Sequence, residues 1–196
     1  MSKIIQLNEQ MANRIAAGEV VERPAGVVKE LVENAIDAGA SEISVEYRAG
    51  GLESIIVSDN GEGMDQVDLR NAFKRHSTSK ISKEADLHAI GSLGFRGEAL
   101  PSIASVAIVK AISSYNHQGY EIQINNGKEM LFQPASHGRG TTIEVSSLFF
   151  RLPARLKFLK SPQYEATRIN ALMHSFVLGY PQIAFKISNE NRTVLE

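Results

Sequence analysis

Lys29-Glu30-Leu31-Val32-Glu33-Asn34-Ala35-Ile36-Asp37-Ala38-Gly39 is the stretch on which the reading of this chain turns. At 3.6 residues per turn it makes a helix with two unlike faces. Val28, Leu31, Val32, Ala35 and Ile36 gather on one side and are predicted to pack on a core. Glu30, Asn34 and Asp37 align on the other at i, i+4 and i+7. A solvent-facing stripe gains from alternating acidic and basic residues. An Asn one turn after a Glu, with no basic residue in line, adds no such pairing and slightly lowers helix propensity. Two readings stand: a solvated polar face, or a face suited to holding a metal ion and a water. Pro24 is placed to open this helix and Gly39 to cap its end.

Beyond the helix, Ile43, Val45 and Tyr47 alternate, Gly50-Gly51 turns, and Leu52 to Ser58 returns as a strand, which is a hairpin pattern. Asp59-Asn60-Gly61-Glu62-Gly63 then breaks the strand. It is either an ordinary tight turn or a strand-end carboxylate aimed into a pocket. In the second case Asp59 accepts a hydrogen bond from an exocyclic amine, and Gly61 and Gly63 let a flat ring approach the backbone.

A short helix over about 65–74 precedes residues 75–97, where periodicity fades and Ser, Thr, Lys and Gly accumulate. A connection of this length is a functional lid or disordered. Its last part, Gly91-Ser92-Leu93-Gly94-Phe95-Arg96-Gly97, leads into a helix near Glu98. Spaced glycines at a helix start expose amides that bind phosphate, aided by the helix dipole and Arg96. The spacing is neither GxxxxGK[ST] nor GxGxxG, so a P-loop is excluded. Ser77-Thr78-Ser79-Lys80 in the same segment favours a phosphate-facing lid over a plain surface loop.

The remainder reads as a helix to Ser105, a strand at 106–113, a hairpin around Asn125-Asn126-Gly127 and a strand at 141–146. Helices at 154–160 and 162–178 and strands at 183–188 and 192–195 complete it. That order predicts an α+β fold, a two-layer sandwich with helices on one face of the sheet. Because the pattern ends within a strand, the chain is expected to be a fragment of a longer protein.

The 196 residues suffice for one domain with a core. With no cysteine, disulfides, thiolate metal sites and cysteine nucleophiles are excluded, and a reducing cytoplasm suits the chain. No apolar run approaches the roughly 20 residues of a membrane span, and no signal segment follows Met1. A net charge of −1 gives no global argument for nucleic-acid binding. Arg151, Arg155, Lys157 and Lys160 form a local basic run that is either a phosphate-backbone contact or an exposed helix face. The five histidines are scattered and read as surface residues.

Helix, strand–Asp–Gly turn and glycine-rich lid, in that order, resemble the ATP-binding domain shared by the gyrase B subunit, its related heat-shock chaperones, histidine kinases and MutL-type mismatch-repair proteins. The MutL type is singled out by Ile15-Ala16-Ala17-Gly18-Glu19-Val20-Val21-Glu22-Arg23-Pro24, Arg75-His76-Ser77-Thr78-Ser79-Lys80 and Gly94-Phe95-Arg96-Gly97-Glu98-Ala99-Leu100. Pro153-Ala154-Arg155 followed by Lys157-Phe158-Leu159 adds to it.

The resemblance implies a Bergerat-type fold with a mixed, mostly antiparallel sheet, an N-terminal dimerisation arm over 1–22 and an ATP-binding domain over 23–196. It implies a weak ATPase using ATP and Mg2+. Glu30 matches the general base, preferred to Glu33 because it shares a stripe with Asn34. Asn34 matches the magnesium ligand and Asp59 the adenine-binding carboxylate. Ala38, Gly61, Gly63 and Met64 would lie near base and ribose. Thr78, Ser79 and Lys80, with Gly94, Phe95, Arg96, Gly97 and Glu98, would wrap the phosphates, and Thr142 matches a further position near the adenine. The implied partners are a second copy of the chain, a MutS-type mismatch-recognition protein, a downstream nuclease or helicase and, weakly, DNA, in a bacterial-type cytosol. Two departures stand out. Arg151 lies at or near the place where the family has an asparagine before Pro-Ala-Arg, and the lysine that contacts the γ-phosphate belongs to a second domain this chain does not contain.

Overall fold

The computed structural model describes residues 21–75, 77, 97–190 and 192–195. The first helix, α1 (Pro24–Asp37), begins at its proline, whose missing N–H costs nothing in a first turn. It ends as the sequence predicts: the amides of Ala38, Gly39 and Ala40 bond back to Asn34, Ile36 and Ala35, and Gly39 turns the chain at φ +71°. Val28, Leu31, Val32 and Ala35 are buried, as is Val27, while Ile36 packs at the margin of the core. One residue departs from the two-faced reading. Glu33 is buried, its carboxylate 2.9 Å from the Lys29 ammonium.

Strands β1 (Glu42–Arg48) and β2 (Ser54–Asp59) form the expected antiparallel hairpin around a 3-10 turn at Ala49–Gly51. The short helix α2 (Gln66–Asn71) is capped by the Asp65 carboxylate, which accepts from the amides of Val67 and Asp68. The helix α3 (Ala99–Val106) leads into β3 (Ile108–Tyr115), β4 (Gln118–Asn125) and β5 (Lys128–Pro134), then β6 (Gly140–Ser146). Helices α4 (Pro153–Phe158) and α5 (Pro162–Gly179) and strands β7 (Ala184–Asn189) and β8 (Arg192–Leu195) complete the described chain.

All eight strands join one sheet in the order β5-β4-β3-β6-β2-β1-β7-β8, antiparallel throughout except for the parallel pair β1–β7. Register aligns apolar side chains into rows across the inner face. One row runs Ile187, Val45, Val57, Ile143, Ala111, Ile122 and Phe132. Buried side chains of α1 and of α5 (Ile169, Met173, Phe176) share the core with these rows. The Tyr47 hydroxyl donates to Asn170 Oδ1 at 2.7 Å, tying β1 to α5. On the opposite face of β1, Glu42, Glu46 and Arg48 are exposed. The fold is therefore the predicted α+β sandwich with a mixed, mostly antiparallel sheet.

The two faces give unequal costs of truncation. Ile55 is fully buried, and Ile55→Ala is expected to cost about 2–5 kcal/mol. Ile56, partly exposed on the other face, should cost under about 1 kcal/mol as Ala. Urea unfolding of both variants checks this, and equal losses would contradict the face assignment.

Candidate functional site

One row of the inner face is polar where its neighbours are apolar. It runs Ile43, Asp59, Thr141, Ser113, Tyr120 across strands β1, β2, β6, β3 and β4. Thr141 and Ser113 are buried, and their hydroxyl oxygens lie 2.8 Å apart. Ser113 Oγ also accepts from the Met64 amide at 2.8 Å. Asp59, the last residue of β2, accepts from the Gly61 amide at 2.9 Å. Burial pushes the Asp59 carboxyl above its ordinary range, against the pull of backbone hydrogen bonds from Gly61 and Thr141 and the nearby charge of His137.

The turn after Asp59 is wedged between two elements. The Glu62 amide donates to the Ala38 carbonyl at 3.0 Å, at the end of α1. A Cβ on Gly61 would stand 2.8 Å from that same carbonyl and 3.0 Å from Asp59 Oδ1. Gly63 sits at φ +76°, and a Cβ there would collide with the Ser114 carbonyl on β3. Asn60 turns away and staples the turn to β1: Oδ1 accepts from the amides of Ser41 (2.9 Å) and Glu42 (3.0 Å), and Nδ2 donates to Ser41 Oγ at 2.9 Å. Ala38, Gly61, Gly63, Met64 and Asp59 are thus brought together at one end of the sheet.

From that end the α1 stripe leads backward. At 1.5 Å per residue, Asn34 lies about 6 Å and Glu30 about 12 Å along the axis from Ala38. Both are partly buried. Glu33, the competing carboxylate, is committed to Lys29, whose ammonium is also 3.8 Å from Glu30 Oε1. Lys29 therefore serves residues beside it although no basic side chain stands in line with the stripe. Burial alone would lower the Lys29 ammonium, but the hydrogen bond and charge of Glu33, with the charge of Glu30, raise it.

Helix α3 leads into β3 through Ala107, and its start follows directly on the 75–97 segment. Gly97 and Glu98 stand at that start, and the Gly97 α-carbon is pressed against the Ser77 backbone, which brings the two ends of the 75–97 segment together. Thr78, Ser79, Lys80, Gly94, Phe95 and Arg96 lie outside the described residues, as do residues 1–20 of the arm.

Thr142 stands on the other face of the sheet from Asp59. It pairs with Ser58, one residue before Asp59, and its hydroxyl is 2.9 Å from Ser58 Oγ. Side chains alternate along a strand, so Thr142 faces away from Asp59, and Thr141 takes the position on the row. The parity was legible: Thr141 shares phase with the apolar Ile143 and Val145, as Ser113 does with Val109 and Ala111. The pattern alone does not distinguish Thr141 or Ser113, because a short polar residue in an inward phase looks like ordinary strand filler.

The raised Asp59 carboxyl sets a sign for stability. Folding tightens its hold on the proton, so its penalty is absent below the ordinary value of 3.8 and grows as pH rises through the folded-state value. Asp59→Asn removes that penalty. The melting temperature of the ligand-free variant minus that of the parent should therefore increase from about pH 4 to pH 7, and a difference that falls over this interval would contradict the assignment.

Residues 22–130 match the sequence profile of the family described as histidine kinase-, DNA gyrase B- and HSP90-like ATPase. The whole chain is 50% identical to DNA mismatch repair protein MutL of Shouchella clausii over 196 residues, and 98% of it is 50% identical to that of Streptococcus sanguinis. In each case the chain spans 30% of the relative's length. Among solved structures, the Aquifex aeolicus MutL ATPase domain complexed with ADP superposes with a TM-score of 0.75 at 32% identity, covering 90% of this chain and 63% of that one. The N-terminal domain of a DNA repair protein gives a TM-score of 0.79 at 30% identity, covering 94% of this chain and 55% of that one. The chain belongs to the histidine kinase-, DNA gyrase B- and HSP90-like ATPase family and, along its whole length, is similar to the MutL mismatch-repair proteins within it.

Proposed function

We propose that this chain binds ATP with its adenine against Asp59 and hydrolyses it slowly, as the nucleotide switch of a MutL-type mismatch-repair protein. The observation that carries the reading is the polar row Asp59–Thr141–Ser113 meeting the end of α1, from which Asn34 and Glu30 lead away in line. An exocyclic amine donates to the Asp59 carboxylate. Gly61, Gly63, Met64 and Ala38 bound the ring, and Asn34 and Glu30 lie toward the phosphates. Glu30 takes a proton from the water that attacks the γ-phosphate. Thr78, Ser79 and Lys80, with Gly94 to Glu98, close over the phosphates, and positioning with charge stabilisation does most of the catalytic work.

The donor set fits a magnesium ion that arrives with the nucleotide. Among the described residues no group of three or more His, Cys, Asp or Glu side chains is gathered for a metal. The ion, when bound, would supply charge neutralisation, with the Asn34 amide oxygen as the protein's ligand and phosphate oxygens and waters as the rest.

At the level of the whole protein, ATP would order the 1–22 arm and the 75–97 lid so that two copies dimerise, and hydrolysis would release them. Mismatch repair supplies the remaining partners: a MutS-type recognition protein, a downstream nuclease or helicase, and DNA held weakly. Arg151, Arg155, Lys157 and Lys160 are the chain's candidate DNA contacts. Among the described residues no helix is long and apolar enough to cross a membrane. A DNA-associated role in a bacterial-type cytosol follows from the same reading.

Two outcomes test this. In the full-length protein, Glu30→Ala should keep ATP affinity while turnover falls about 10²–10⁴-fold, and Asn34→Ala should lose the magnesium-dependent part of binding. Wild-type turnover in Glu30→Ala would remove Glu30 from the role of base. Separately, this chain alone should turn over ATP more slowly than a protein that includes the following domain and its lysine. Equal steady-state rates would show that the site is already complete.

A further inference from the structure

Three side chains on the outer face of the sheet lie directly behind the polar row. His137 Nε2 is 2.9 Å from Thr142 Oγ1, which is 2.9 Å from Ser58 Oγ, and His137 Nδ1 is 2.7 Å from the Gly138 carbonyl. Ser58 and Thr142 are cross-strand partners, and the next pair along the same ladder is Asp59 and Thr141. We infer that His137, Thr142 and Ser58 form a brace that fixes the ends of β2 and β6, and thereby makes His137 a positioning residue for the recognition of adenine by Asp59. The inference rests on the proposed purine site.

The chemistry of the chain supports a holding role. A carbonyl only accepts, so Nδ1 carries a proton and donates to Gly138. The Thr142 hydroxyl donates to Ser58 Oγ, which leaves its oxygen to accept from Nε2.

The place also needs holding. Asp59 is the last residue of β2 and Gly140 the first of β6, so regular pairing ends here. The lead-in 138–140 is Gly-Arg-Gly, and Gly140, at φ +112°, is pressed on the Asp59 carbonyl. Residues 135–139 form no regular element, although the Ala135 amide donates to the Gly119 carbonyl at 2.9 Å. His137 spans this loop, bonding to the strand on one side and to its own backbone on the other. The direction of the Asp59 carboxylate and the Thr141 hydroxyl depends on where these two strand ends sit. Hydrogen bonds weaken steeply as their angles open. An adenine presents an amine where a guanine presents a carbonyl oxygen, which a carboxylate repels, so discrimination between them depends on that direction.

The test measures affinities of the full-length protein for ADP and GDP by competition against a fluorescent ADP analogue. In His137→Ala and Thr142→Val, ADP should bind about five- to tenfold more weakly, the worth of one hydrogen bond, with GDP little changed, so the ADP:GDP preference falls by the same factor. Thr142→Ser, which keeps the hydroxyl, should retain the parent preference. A purely structural loss would lower both affinities together. If His137→Ala and Thr142→Val keep the parent preference, or weaken both ligands alike, the brace has no part in base recognition. Asp59→Asn serves as the control. If it abolishes the preference while the brace variants do not, the inference falls and the purine site stands; if it too keeps the preference, the purine site falls as well.

Discussion

The arrangement depends on one constraint: the five-residue turn after Asp59 must satisfy its backbone between a helix end and a strand end. Glu62 spends its amide on the Ala38 carbonyl, and Met64 spends its amide on the Ser113 hydroxyl. Asn60 closes the turn onto Ser41 and Glu42. A buried backbone amide without a partner costs about as much as a lost hydrogen bond, so these contacts leave the turn little freedom. Everything else in the site is positioned relative to it. Ala38 fixes where α1 ends, hence where Asn34 and Glu30 stand on the turns before it. Ser113 fixes where β3 passes, hence where Thr141 meets Asp59.

Holding a carboxylate in this place works against folding. Asp59 is pushed toward its neutral form by burial, and two amides offset only part of that. Such a group is a local inconsistency of the sort that core design avoids and that functional sites tolerate. The same holds for the row itself. Ser113 and Thr141 take places that Ala111 and Ile143 fill on the adjacent row, and they surrender apolar contact for hydroxyls aimed at one end of the sheet. The sheet can bear this because the row closes the β2–β6 ladder at that end. The rows behind it, through Val57 and through Ile55, are apolar from β1 across to β4.

Much of this was legible in the residues. Period-3.6 and period-2 patterns with Pro24, Gly39 and Asn126-Gly127 as punctuation place the described helices and strands within a few residues, because those signals are local. The pairing of β1 with β7 was not legible, since a parallel contact between residues 42–48 and 184–189 leaves no local trace. Asp59 and the glycines announced themselves by breaking a strand. Ser113 and Thr141 did not, because their role appears only when β3, β6 and β2 come into register. Glu33 shows the reverse limit. Its place near the stripe makes it a rival for Glu30; the stripe shared with Asn34 favours Glu30, and the 2.9 Å contact of Glu33 with Lys29 is a distinction the pattern does not contain.

Thr141 and Thr142 show why a family resemblance needs strand parity beside it. Two adjacent threonines at the start of a strand match a motif equally well, yet they face opposite sides of the sheet. Counting back from Ile143 and Val145 puts Thr141 with the core phase and sends Thr142 to the outer face. Thr142 is not thereby idle. On the outer face it joins Ser58 and His137, two side chains that no motif includes, and that contact lies one peptide away from the carboxylate and hydroxyl of the inner row. In a single sheet the two faces share one backbone. What binds on one side is aimed in part by what is held on the other.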